Sequence, residues 1–135
     1  MAYPIYRYEI KYWSRFDPTL SAIIQGAFAD ESNHVHFGEE VNADYFKKLS
    51  LVERNRVKRM THDFSNLMRE IFNDIIKRYI GLYQECANQY MDLVGDIEIF
   101  PGKKMHEVTE EEQTRLVLNE IEQGHQTRLQ RIGIV

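Results

Sequence analysis

Glu31 and His34 stand three residues apart in the run Asp30-Glu31-Ser32-Asn33-His34. On a helix this spacing points a carboxylate and an imidazole the same way, so both can bind one metal ion. Leu20, Ile24, Ala27, Glu31, His34, Gly38, Val41 and Tyr45 follow alternating steps of four and three. That is the periodicity of an apolar helix seam, and the pair takes two of its positions. A carboxylate in a packed core is costly unless it is paired, hydrogen-bonded or bound to metal. Glu31 and His34 are therefore expected to ligate a metal, with Asp30 placed to orient a ligating histidine on a neighbouring helix. The competing expectation is a core histidine hydrogen-bonded to a neighbour, with Glu31 at a rim.

A second pair of the same kind is Glu122 and His125. His125 falls on the apolar stripe of the last predicted helix and Glu122 at its flank. Folding the chain back at Ser50 brings Glu70 level with Glu31, and Asp74 lies one turn further on. A self-contained site would then draw on Glu31, His34, Glu70, Glu122 and His125. A solvated edge of the last helix explains Glu122 and His125 equally well. His36 and His62 lack a partner at ligand spacing and read as surface residues. His106 falls in a loop and is expected to be solvated. Cys86 has no basic neighbour in sequence to lower its pKa, so it reads as a buried or inert thiol. Tyr79, Tyr83 and Tyr90 read as packing residues.

The elements that must position these residues are helices. Aromatic residues crowd the first stretch (Tyr3, Tyr6, Tyr8, Tyr12, Trp13, Phe16), and Tyr6, Ile10 and Trp13 at helical spacing predict a short helix over about 3–16. Asp17-Pro18 reads as an N-cap followed by proline at the first helical position, opening a long helix over about 18–49. Ser50 and Glu53 form a capping box that starts a second long helix after almost no loop, over about 51–94. A bend is expected at Gly81, and Gly95 is the expected C-terminal cap. Residues 95–108 read as a loop with a Pro101-Gly102 turn and a short extended piece at Ile97, Ile99 and Phe100. Thr109 and Glu112 make another capping box, and a helix over about 110–131 follows, with Glu110, Glu111 and Glu112 favourably placed at its N-terminus. The fold class is all-α, one domain with two long antiparallel helices plus a short N-terminal and a C-terminal helix, arranged as a bundle.

Composition agrees. The 135 residues are enough for one core, and 43% hydrophobic with 28% charged residues is an ordinary globular balance. Only 7 glycines and 3 prolines interrupt the chain. The net charge of -4 argues against a nucleic-acid or anionic-membrane surface. A single cysteine excludes an intrachain disulfide and a cysteine-based zinc site, and fits a cytoplasmic setting. No stretch has the apolar length of a membrane span, and residues 1–7 lack the apolar core of a signal peptide.

Asp30-Glu31-x-x-His34 followed by Phe37-Gly38-Glu39-Glu40 resembles the C-terminal Glu-x-x-His helix of the ferritin-like di-iron carboxylate oxygenases. The likeness is to the aldehyde-deformylating oxygenases, then to the phenylacetyl-CoA and benzoyl-CoA oxygenase subunits and the ribonucleotide reductase small subunit, and it lies over about residues 28–46. It implies a ferritin-like bundle, or the C-terminal half of one, in which Glu31 is a carboxylate ligand, His34 a terminal imidazole ligand and Asp30 an outer carboxylate. The implied cofactor is two iron ions, with manganese the alternative, activating dioxygen on a small organic substrate with help from an electron donor. In that family the matching helix is the last of four ligand helices. Here about thirty residues precede it, and Glu9, the candidate on the preceding helix, misses the level of Glu31 by about 9 Å at helical rise. The resemblance therefore implies that the remaining ligands come from elsewhere: a homo- or hetero-oligomeric partner, or a part lost through truncation or gene splitting. The alternatives are a non-catalytic helical assembly subunit, or a metal-storage ferritin-like oligomer.

Overall fold

The computed structural model describes residues 3–135, leaving aside the side chains of residues 3–5, 8, 12 and 15. Of the N-terminal aromatic residues, the side chains of Tyr3, Tyr8 and Tyr12 thus lie outside the described residues. The chain is all-α, and its capping residues set its boundaries. Helix α1 covers Tyr3–Phe16. The Asp17 carboxylate accepts the backbone N–H groups of Thr19 and Leu20, each at 3.0 Å, and Pro18 opens α2, Pro18–Lys48. Ser50 and Glu53 form the reciprocal capping box, and α3 runs Leu51–Gln89. Thr109 caps α5, Glu110–Ile132, which ends at Gly133 in the left-handed conformation at φ 86°.

The long second helix is shorter than its apolar pattern predicts. Tyr90 leaves the helical region at φ −129°, and its N–H bonds to Ala87 three residues back. A four-residue helix, α4 (Met91–Val94), follows as a separate turn. Gly95 caps α4 in right-handed geometry. It must be glycine for space, since a Cβ there would lie 2.6 Å from the Met91 carbonyl oxygen. The predicted extended piece is the first strand of a small antiparallel hairpin, β1 (Glu98–Phe100) with β2 (Lys103–Lys104), turning at Gly102 with φ 72°. A 3-10 turn at Met105–Glu107 leads to α5.

The core collects at this hairpin end. Ile76, Ile80 and Ala87 of α3 pack with Val94, Ile97, Ile99, Phe100, Met105, Val108 and Val117 of α5. The Gln84 amide, buried among them, donates to Gln113 and to the Val108 carbonyl, tying α3 to the start of α5. Helix α5 then lies along both long helices. It runs antiparallel to α3, pairing Gln84 with Gln113, Arg69 with Glu122 and Ser65 with His125. It runs parallel to α2, with Arg128 and Arg131 beside Glu39 and Gly133 beside Phe46. Helix α1 folds back on α2. Tyr6 meets Phe28 edge to face at 6.0 Å, and the Ser21 hydroxyl donates to the Ile10 carbonyl at 3.1 Å. Glu9 accepts from the Trp13 indole at 2.7 Å and from the Tyr79 hydroxyl of α3. Among the described residues, no helix is long and apolar enough to cross a membrane.

Glu39 is the one acidic side chain of α2 that is buried. Its carboxylate lies 3.2 Å from the Arg131 guanidinium and 3.6 Å from that of Arg128. Arg131 is mostly exposed and Arg128 mostly buried, so the two cations differ in worth. Glu39→Ala is expected to lower the unfolding free energy by about 1–3 kcal/mol, and Arg131→Ala by less than about 1 kcal/mol. Urea denaturation of the two variants checks the order; a larger loss from Arg131→Ala would contradict it.

Candidate functional site

Glu31 and His34 meet as their spacing predicts, with His34 Nδ1 3.8 Å from Glu31 Oε2. Their setting is not a core seam. The His34 side chain is 79% exposed and that of Glu31 43%. The inward face of α2 is instead carried by Ser21, Ile24, Phe28, Val35, Glu39 and Phe46, all buried or partly buried. This face is one residue out of step with the predicted one, and Ala27, Val41 and Tyr45 lie exposed. The reason is tertiary. Both stripes have helical periodicity, and α1 and α5 select the one that offers Ser21 to Ile10, Phe28 to Tyr6 and Glu39 to two arginines. The pair therefore sits in an exposed apolar stripe with Ile23, Phe37, Val41 and Tyr45, each half or more exposed. Asp30 is exposed beside it.

The second pair is engaged otherwise. Glu122 takes the Arg69 guanidinium bidentately, at 2.9 Å and 3.2 Å, and accepts from Gln126 at 3.0 Å. These donors hold the Glu122 carboxyl below its usual range, Arg69 first and Gln126 second. His125 Nε2 lies 2.8 Å from the Ser65 hydroxyl oxygen, whose own proton goes to the Thr61 carbonyl at 2.7 Å. Ser65 thus accepts from the imidazole and is not a nucleophile activated by it. Glu70 and Asp74 are exposed. Among the described residues, no three of His, Cys, Asp or Glu come together as a metal-holding group. Glu31, His34, Glu70, Glu122 and His125 are therefore not gathered into one site, and Glu31 with His34 offers two donors where a metal needs about four to six.

Most of the remaining residues fall where the sequence places them. His106 is exposed, as its loop position predicts, and its Nδ1 lies 2.6 Å from the Gly95 carbonyl oxygen because the hairpin folds the loop back onto α4. Cys86 is exposed, on the outer side of α3 between buried Gln84 and Ala87. His36 and His62 are surface residues, near Glu40 and Asp63. Burial, and then the hydrogen bond to Glu9, push the Tyr79 hydroxyl far above its usual range, as befits a packing residue.

The structure adds a feature that the sequence did not single out. A groove of about 1050 Å³ opens between α3 and α5, walled by Phe64, Met68, Phe72, Leu118, Ile121 and His125. Its signal is the spacing of Phe64, Met68 and Phe72 at successive fours, which marks one face of α3 but not the gap facing it.

The Arg69–Glu122 bond crosses the groove rim and gives it a pH dependence. A carboxylate held below its ordinary value of 4.5 contributes its full stability above that value and loses it as pH falls through the lowered one. Because the pair is nearly half exposed, Glu122→Gln is expected to cost less than about 1 kcal/mol at pH 7. The variant and the parent chain should converge in acid, once the pH has fallen through the lowered value. Thermal unfolding across pH checks this, and a gap that widened in acid would contradict it. In comparisons with known proteins, no family model matches the chain, and no curated protein or solved structure matches it.

Proposed function

We propose that the chain is one component of a non-haem di-iron oxygenase of helical-bundle form, contributing Glu31 and His34 to a metal site that a partner completes. The observation that carries this reading is the place of the pair. A carboxylate and an imidazole sit together in the middle of a helix face whose other members, Ile23, Phe37, Val41 and Tyr45, are large, apolar and exposed. Such a stripe is the surface of an interface rather than of a solvated helix. Two donors at its centre would become buried only when a neighbour covers them.

Covered in this way, Glu31 would supply negative charge to a divalent cation and His34 a neutral imidazole. Iron held there would supply the redox chemistry that activates dioxygen. The protein's part is to exclude water through the apolar stripe and to leave room for a small organic substrate. Gly38, one turn beyond His34, adds no side chain beside the pair, and the space next to it is open. A non-catalytic assembly subunit is the second reading, favoured by the extent of exposed apolar side chains on α3, among them Met60, Phe64 and Leu67.

Metal content separates the two. Protein isolated anaerobically from iron-replete cells is expected to carry iron, and Glu31→Ala and His34→Ala to lose most of it. Both positions are substantially exposed, so circular dichroism should show the helices intact. Equal iron in the parent chain and in both variants would leave only the assembly reading.

A further inference from the structure

We propose that the turn between α2 and α3 is a docking tip for an anionic lipid surface, with Leu51 and Val52 entering the headgroup layer and the flanking Lys and Arg meeting its phosphates. The inference is independent of the metal reading of Glu31 and His34.

The charge of this chain is unevenly placed. Residues 47–59 hold six of its 17 Lys and Arg (Lys47, Lys48, Arg54, Arg56, Lys58 and Arg59) and one of its 21 Asp and Glu, Glu53. The rest of the chain is left with 11 cationic and 20 acidic residues. The net charge of -4 therefore averages a strongly basic segment with an acidic remainder. An approaching surface feels the local value, because charge is screened over about 8 Å at physiological salt. From Leu51 to Arg59 the helix rises about 12 Å, so the cations of α3 act together.

The fold holds these charges at one end of the bundle and leaves them in water. Arg54 is spent on the turn. Its guanidinium donates to the carbonyls of Leu49, at 3.0 Å, and Lys47, and lies 5.8 Å from the centre of the Phe46 ring. Glu53 is spent on the capping box with Ser50. The other five cations are exposed. Of these five, among the described residues, only Lys47 has a carboxylate in ion-pair reach, Asp44 at 3.4 Å. Asp63, one turn beyond Arg59, ends the basic stretch.

The apolar residues decide which anion the tip fits. Val52 and Leu51, 78% and 75% exposed, are the most exposed large apolar side chains among the described residues. They are adjacent, at the apex of the turn, with cations on both sides in sequence. Val52, Arg56 and Arg59 recur at steps of four and three and are all exposed, so aliphatic and cationic side chains share one outward face. A nucleic acid pairs its backbone with cations and stacks its bases on aromatic rings, and two bare aliphatic side chains serve neither contact. A bilayer interface takes both kinds of residue: aliphatic groups at the acyl boundary, and Lys and Arg on anionic headgroups. The contact is peripheral, since no helix among the described residues is long and apolar enough to cross a membrane.

Flotation of the full chain with lipid vesicles tests the assignment. Binding is expected to vesicles of equal parts phosphatidylglycerol and phosphatidylcholine, and at least about ten-fold weaker to phosphatidylcholine alone. Raising salt from about 0.1 M to about 0.5 M should weaken it. Arg56→Glu with Arg59→Glu should weaken it at least about ten-fold, since each cation near such a surface contributes about five-fold. Leu51→Ser with Val52→Ser should weaken it by about five-fold or more. All four positions are exposed, so circular dichroism should show both variants folded. Lys77→Glu with Arg78→Glu makes the same change of charge at exposed positions further along α3, and should leave binding within about two-fold. Absence of binding to the phosphatidylglycerol vesicles at about 0.1 M salt overturns the proposal. So does equal binding to both vesicles, an equal loss from the two charge-reversed pairs, or binding indifferent to Leu51→Ser with Val52→Ser. Tighter binding to an oligonucleotide than to the vesicles, unchanged by that aliphatic pair, overturns the lipid and gives the tip to nucleic acid.

Discussion

The rotational setting of α2 is the constraint on which the rest of the molecule turns, and Glu39 fixes it. A carboxylate held at 10% exposure between Arg128 and Arg131 cannot be turned outward without leaving those arginines facing an emptied site. It also cannot slide, because Phe46, two turns on, sits against the C-terminal cap of α5 at Gly133 and under the Arg54 guanidinium. Five residues on an α-helix amount to about 140° of rotation. Turning Glu39 toward α5 therefore turns His34 toward solvent. The exposure of the candidate ligands is a consequence of where another carboxylate found its cations.

The same logic explains what was legible in the chain and what was not. Helix boundaries were legible because their causes are local. Asp17 with Pro18, Ser50 with Glu53, and Thr109 with Glu112 each satisfy N–H groups within one turn, and the ends of α1, α2, α3 and α5 follow wherever those residues act. The break at Tyr90 was not legible. Nothing in the residue type forbids helix there, and the interruption serves the hairpin, whose Ile97, Ile99 and Phe100 must reach the core formed by α3 and α5. The position of His106 has the same origin, since its partner is a carbonyl eleven residues away.

The candidate site divides along the same line. That Glu31 and His34 would meet was written in their spacing. Which side they would meet on was not, because α2 carries two apolar stripes one residue out of step, and the stronger periodicity in sequence belongs to the outward one. Single-helix periodicity ranks faces by composition. It cannot see that Ser21 would be paired with a carbonyl of α1, or that the inward face would carry a glutamate satisfied by α5. The polar residues that weaken the inward stripe on paper are those that anchor it in the fold.

Stability is consequently unequal along the bundle. At the hairpin end, α3 contributes Ile76, Ile80 and Ala87 to a closed core, with Gln84 bonded inside it. Toward Leu51 the same helix meets α5 through polar side chains, Ser65 on His125 and Arg69 on Glu122, while Met60, Phe64 and Leu67 face water. A helix that buries apolar surface along only part of its length is held by its tertiary contacts there and by propensity elsewhere. The half near Leu51 is therefore the part with most to gain from a neighbour. The outward stripe of α2, which carries Glu31 and His34, runs back from the same tight turn at Leu49 and Ser50. A partner that covers that stripe would bury the two residues with the chemistry to hold a metal.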